Sequence, residues 1–164
     1  MRVKRLLGRR TAAIVLMMGV IGVGLTGCFP DRSSAPASDP FTQELYNRLN
    51  YDRATVGLGP LTRSPKLENN AGSWAWQMAA HNSLYHQNLG ALLASSDYNA
   101  YYTLGENILV GPGSMSPASI EGAWRGSPPH WANIASRSFN VVGIGYVRGG
   151  DGRIWAVQEF GGLP

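Results

Sequence analysis

The sequence predicts an α+β domain, a small, largely antiparallel sheet covered by helices. Three observations carry that reading. Two proline-started segments with helical apolar spacing follow residue 39, two β-prone runs flank a glycine-rich turn near the end, and shorter helical segments lie between them.

The elements begin after a targeting segment. Arg2, Lys4, Arg5, Arg9 and Arg10 precede an apolar run from Thr11 to Leu25, which closes on Leu25-Thr26-Gly27-Cys28. This order resembles a bacterial lipoprotein signal, in which cleavage before the cysteine is followed by lipidation of its thiol. The apolar run is shorter than the about 20 residues that a membrane span needs. The resemblance implies removal of residues 1–27 and a chain held on the extracytoplasmic face of the cell membrane by an acyl group such as palmitate on Cys28. Arg9-Arg10 also fits a twin-arginine signal, but arginine pairs are common in basic starts and Sec export is the simpler reading. Residues 28–39, the cysteine followed by the Pro- and Ser-rich FPDRSSAPASD, read as a tether. Its extended reach is about 36–40 Å, enough to lift a domain clear of the headgroups.

Charge changes meaning once the signal is set aside. The whole chain of 164 residues carries +4, yet five of its 14 basic residues lie in the signal and all 10 acidic residues lie after it. The remainder therefore carries nine basic against ten acidic side chains, a formal charge of −1. No basic surface remains from which to expect nucleic-acid binding. Cys28 is the one cysteine, so no internal disulfide forms and stability must come from packing.

The domain spans residues 40–164. Asp39-Pro40 pairs a capping residue with a proline allowed at the first helical position, and Phe41, Leu45 and Leu49 recur every four residues, which predicts a helix to about Val56. Gly57 and Gly59-Pro60 end it. Ser64-Pro65 repeats the device, and Leu67, Ala71, Trp74 and Met78 trace the buried stripe of a second helix ending near His81. Residues 90–104 have no clear period. Asn107–Val110 is a short strand candidate before Gly111-Pro112-Gly113. Ser116-Pro117 starts a third helix with Ile120, Ala123 and Trp124 facing inward, and Ser127-Pro128 caps a further turn that carries His130. Residues 141–147 and 154–160 form a hairpin across Arg148-Gly149-Gly150-Asp151-Gly152-Arg153. Gly143 and Gly145 share one strand face there and leave room for either a close helix or a ligand.

His86, the Gly105-Glu106-Asn107-Ile108 run and Ser127-Pro128-Pro129-His130 stand out as polar groups in apolar or small-residue surroundings. Two imidazoles supply nitrogen ligands for Zn²⁺ or a similar divalent ion, and a carboxylate orients or deprotonates a bound water. The same groups without metal make a hydrogen-bonded polar cavity. Glu106 serves equally well as a structural acceptor for backbone N–H groups in a turn. Asn107 and Asn133 read as scaffold hydrogen-bonders, and Trp74, Trp124 and Trp155 as core.

The order of these motifs resembles the CAP superfamily, the cysteine-rich secretory, antigen 5 and pathogenesis-related 1 proteins that share the SCP domain. The likeness runs over about residues 41 to 162. It is carried by Asn50-Tyr51-Asp52-Arg53, Gly57-Leu58-Gly59-Pro60-Leu61, His86, Gly105-Glu106-Asn107-Ile108, Trp124 through Ile134, Val142-Gly143-Ile144-Gly145 and Trp155 through Phe160. It implies a three-layer α-β-α sandwich with an open cavity holding two histidines and two acids. His86 and His130 match the histidines and Glu106 the first acid. Ser127 stands where many eukaryotic members place the second acid, and Glu121, three residues before Trp124, does not match that position. The resemblance therefore implies a cavity formed by His86, Glu106, Ser127 and His130, with His86 and His130 as donors to a labile metal and Glu106 as the catalytic candidate. No cofactor is required. The expected role is binding of a small ligand, lipid or cell-envelope component. The alternative is metal-assisted hydrolysis, including proteolysis, of envelope or secreted substrates, and the residue set names no reaction.

Overall fold

A computed structural model describes residues 39–164. The basic start, the apolar run, Cys28 and the tether up to Ser38 lie outside the described residues. Within them the chain runs α1 (Pro40–Thr55), β1 (Thr62–Arg63), α2 (Pro65–His81), α3 (Leu89–Leu93), a 3₁₀ turn (Ser96–Tyr98), β2 (Thr103–Pro112), α4 (Pro117–Arg125), α5 (Pro128–Ile134), β3 (Val141–Arg148) and β4 (Arg153–Gly162). None of the described helices is long and apolar enough to cross a membrane.

Local chemistry explains the helix starts. Asp39, Ser64 and Ser116 each accept a hydrogen bond from the backbone N–H three residues on, and a proline occupies the first turn of α1, α2, α4 and α5. Asn82 closes α2 in the left-handed region at φ 50°, a conformation Asn tolerates better than most side chains.

The sheet order is β1-β3-β4-β2. β3 pairs antiparallel with β4 and β4 with β2, while the two-residue β1 adds a short parallel edge to β3. In the β2–β4 pair Glu106 stands opposite Glu159 and Asn107 opposite Gln158. Because side chains alternate along a strand, each pair projects from a different face.

α2 covers one face: Ala71, Ala75 and Met78 pack on Ile108, Val147, Trp155 and Val157. α1, α4 and α5 cover the other, with Leu45, Leu49, Ile120, Trp124 and Ile134 packed on Val142, Ile144, Ile154, Ala156 and Phe160. The result is an α+β domain, as the sequence predicts, arranged as the three-layer α-β-α sandwich that the family resemblance implies. Burying each large apolar side chain contributes about 1.5–3 kcal/mol. Gly143 and Gly145 let α2 lie directly on β3, since a Cβ at Gly143 would sit 2.0 Å from the Leu67 carbonyl carbon and one at Gly145 2.2 Å from the Gly72 nitrogen. The room they leave is filled by the helix, not by a ligand.

Other expectations change. The strand expected at Asn107–Val110 is ten residues long, because its partner β4 extends the pairing from Thr103 to Pro112. Glu106 is therefore a strand residue, not a turn residue. Ala123 is exposed and Glu121 takes an inward place on α4 beside Ile120 and Trp124. On a 100° helical step Ala123 lies about a third of a turn off the stripe those residues define. Trp74 is half-buried, outside the set of fully buried residues, and the aperiodic segment 90–104 holds α3 and the 3₁₀ turn.

Candidate functional site

His86 lies on the loop between α2 and α3. Trp74 fixes that loop to α2: its indole Nε1 donates to the Tyr85 carbonyl at 3.0 Å, and the two rings meet edge-on with centroids 4.9 Å apart. The next two residues turn toward β2. His86 Nδ1 and Glu106 Oε1 are 2.7 Å apart, the backbone N–H of Gln87 donates to the same oxygen at 3.1 Å, and Gln87 Nε2 donates to Glu106 Oε2 at 2.8 Å. The Glu106 side chain is 0% exposed, whereas that of His86 is 58% exposed. A carboxylate that accepts from Nδ1 fixes the neutral ring with its proton there, leaving the Nε2 lone pair free.

The network continues under α2. Asn70 Nδ2 donates to Gln87 Oε1 at 2.8 Å and to Glu159 Oε2 at 2.6 Å. Glu159 is fully buried, and its Oε1 has no partner among the described residues. Burial foremost, with the neighbouring Glu106 charge adding to it, pushes the Glu159 carboxyl up to about 7.

His130 comes from the opposite layer. Asn107 Nδ2 donates to the His130 carbonyl at 3.1 Å and to Gln158 Oε1 at 3.0 Å. Asn133 Nδ2 donates to Asn107 Oδ1 at 2.8 Å and to the Glu106 carbonyl at 3.1 Å. These bonds tie α5 to β2. Arg53 holds the other end of α5, donating through one nitrogen to the carbonyls of Ile134 at 2.8 Å and Ser136 at 2.9 Å. His130 Nδ1 is buried with no partner among the described residues. Burial first, and then the charge of His86, hold the His130 imidazole below its usual value.

His86 and Glu106 thus meet directly, while His130 is tied to β2 through its carbonyl and lies within reach of the His86 charge. Ser127 precedes α5 but its side chain makes no capping bond, and none of the hydrogen bonds of the imidazole and carboxylate set involves it. Its expected cap role is not met: Pro129 has no amide hydrogen to offer at the second helical position, and the His130 N–H at the third makes no bond to the Ser127 side chain. Glu121 lies in the other layer, buried, with Oε2 accepting from Gln158 Nε2 at 2.7 Å. Burial foremost, with the Asp52 charge next, pushes it up to about 8.

Among the described residues no group of three or more His, Cys, Asp or Glu is arranged to hold a metal ion. The imidazole nitrogens that could donate to a metal are Nε2 of His86, left free by the Nδ1 bond to Glu106, and those of His130, whose Nδ1 is buried without a partner among the described residues; two nitrogens are fewer than a closed structural site needs.

Sequence reasoning missed Asn70, Gln87, Gln158 and Glu159. Glu159 carried a signal: a charged residue between Val157 and Phe160, in a strand buried on both faces, must be partnered or protonated.

The model of the cysteine-rich secretory protein family, CAP, matches residues 46–160. The chain belongs to the CAP family. It is 31% identical over 134 residues to the protein YkwD of Bacillus subtilis, an alignment that covers 79% of this chain and 51% of that one. The chain thus spans about half the length of that curated relative. As a fold, this CAP domain resembles an outer surface protein of Borrelia burgdorferi, with a TM-score of 0.68 at 18% identity over 80% of this chain and 98% of that one. It also resembles an extracellular SCP-domain protein of Bacillus anthracis, with a TM-score of 0.61 at 21% identity over 73% of this chain and 39% of that one.

Proposed function

We propose that this CAP domain is a binding module on the extracytoplasmic face of the cell membrane, tethered through lipidated Cys28, which holds a small ligand, lipid or envelope component at the His86–His130 pair. One observation carries the choice of binding over catalysis. Both oxygens of Glu106 are engaged by His86 Nδ1, Gln87 N and Gln87 Nε2, and the side chain has no exposed surface. A general base must reach the proton it takes, and this carboxylate spends its lone pairs on orienting His86 instead. The outer-surface and extracellular relatives support the location, as does the basic, apolar and cysteine order of the first 28 residues.

Where a divalent ion is bound, His86 and His130 would be its protein donors and Glu106 the outer carboxylate that sets the His86 ring. Such an ion would supply Lewis acidity. The chain's own residues hold the ring orientation through Glu106 and Gln87, and keep His130 in its neutral, electron-donating form through burial. The alternative, metal-assisted hydrolysis, requires Glu106 to leave its present partners before it can activate water.

Binding of a detergent-solubilised envelope extract to the immobilised protein tests the proposal. Saturable retention that disappears in His86→Ala/His130→Ala supports it, and equal retention by the double variant removes the imidazoles from consideration. Turnover of a peptide or ester library that drops in Glu106→Gln would favour the hydrolase instead.

A further inference from the structure

α2 presents Lys66, Asn70 and Ser73 on one outward face, at successive helical steps of four and three residues, with Asn69 alongside. Across from them stand Asp97 and Tyr98 of the 3₁₀ turn, and the two sides flank an open, shallow cleft of about 450 Å³. That volume lies within the range of small-molecule sites. None of the residues that line it is His86, Glu106 or His130.

The wall is polar without being charged in sum. One cation and one anion face the cleft, and the Lys66 ammonium lies 4.7 Å from the centre of the Tyr98 ring, held by cation–π attraction. A phosphate would need an excess of cations, and a lipid tail a mostly apolar wall; Leu92 and Tyr98 alone supply apolar lining here. Asn70 is oriented from beneath. Its Nδ2 donates to Gln87 Oε1 and Glu159 Oε2, which uses both amide hydrogens and leaves Oδ1 as the acceptor the cleft can use. Asn69, Ser73 and Asp97 carry side-chain donors and acceptors with no hydrogen-bond partner among the described residues.

We infer that this cleft binds a neutral polyhydroxyl ligand, a carbohydrate, through Asn69, Asn70, Ser73 and Asp97. Each sugar hydroxyl both donates and accepts, which matches a wall where amide, hydroxyl and carboxylate groups alternate around one oriented amide oxygen. Asn70 also joins the cleft to the site described above: a ligand drawing on its Oδ1 bears on the amide that sets Gln87, and Gln87 holds the Glu106 carboxylate that orients His86. The inference narrows the proposed envelope component to a glycan at a second subsite and does not depend on the imidazoles as donors.

The test is calorimetric titration of the full chain in detergent with two neutral disaccharides, N,N′-diacetylchitobiose and cellobiose, and with inorganic phosphate as the charged comparison. Saturable binding of either sugar is expected, weakened about 10-fold or more by Asp97→Ala, as loss of one good hydrogen bond implies. Ser73→Tyr, at an exposed position where the added ring fills the cleft, is expected to abolish it. Ser73 and Asp97 lie outside the imidazole set, so loss of sugar binding in these two variants separates this subsite from the imidazole site. Absence of sugar binding at tens of millimolar, binding indifferent to Ser73→Tyr, or tighter binding of phosphate than of either sugar would overturn the inference.

Discussion

Glu106 receives three hydrogen bonds and has no exposed surface, and the role of the site turns on that residue. In Glu106→Gln one oxygen becomes an NH₂ group, which cannot accept from both His86 Nδ1–H and the Gln87 amides. The His86 ring then loses its fixed tautomer. Metal affinity should fall by about 10–100-fold, the usual cost of losing an outer-shell partner of a ligating histidine. Calorimetry with Zn²⁺ checks this, and unchanged affinity in Glu106→Gln would mean that the carboxylate does not orient the ring. Trp74 acts one step further out. Trp74→Phe keeps the ring contact with Tyr85 but removes the indole bond to its carbonyl, so thermal stability should change little. Amide exchange of residues 83–87 should quicken, and an unaltered exchange pattern there would show that the loop is held by other means.

At the scale of elements, the contact of α2 with β3 is the least forgiving. Gly143→Ala would press a methyl group against the Leu67 main chain, which no side-chain rotation relieves. The expected loss is about 2–4 kcal/mol in urea unfolding, within the range of overpacked and strained sites. A loss below about 0.5 kcal/mol would mean that the helix slides without cost. The sequence displays this interface well, because Leu67, Ala71 and Met78 keep helical spacing and the two glycines keep strand spacing. It displays α3, the 3₁₀ turn and β1 poorly. Leu89–Leu93 and Ser96–Tyr98 are too short to establish a period, and Thr62–Arg63 is a strand only because β3 offers it an edge. The candidate site divides in the same way. His86, Glu106 and His130 are rare residue types in recognisable motifs, whereas Asn70 and Gln87 are common polar residues whose roles arise when α2, the loop and β4 come together.

Across the whole molecule, buried ionisable groups set how stability varies with pH. Glu121 and Glu159 titrate near 8 and 7 in the folded chain against 4.5 when unfolded, so between those values the native state keeps protons the unfolded state has lost. Their contribution is complete below about pH 4.5 and is lost as pH rises through 7 to 8. His130 has the opposite sign: its folded value lies below 6.5, so its neutral form costs stability as pH falls below that point. From pH 6.5 to 8 the carboxyl groups dominate and stability should decline. Glu121→Gln and Glu159→Gln should each flatten the decline in urea midpoints taken across that window, and parallel curves for wild type and both variants would rule out these carboxyls as its source.

Arg53 joins the two ends of the chain's architecture. Arg53, 3% exposed, donates through its guanidinium to the carbonyl of Gly59 on the loop after α1 and to those of Ile134 and Ser136 at and just beyond the end of α5. Arg53→Met should cost about 3 kcal/mol, the order expected when buried acceptors lose a charged donor, and should loosen α5 and with it His130. The proposed function rests on His86 and His130 forming one binding site with Glu106 behind it. The decisive experiment is calorimetric titration of the metal-free protein with Zn²⁺, beside His86→Ala/His130→Ala. Saturable binding by the wild type that is lost in the double variant is expected; equal binding by both proteins would contradict a shared imidazole site, and none by the wild type would contradict its role as a metal donor pair.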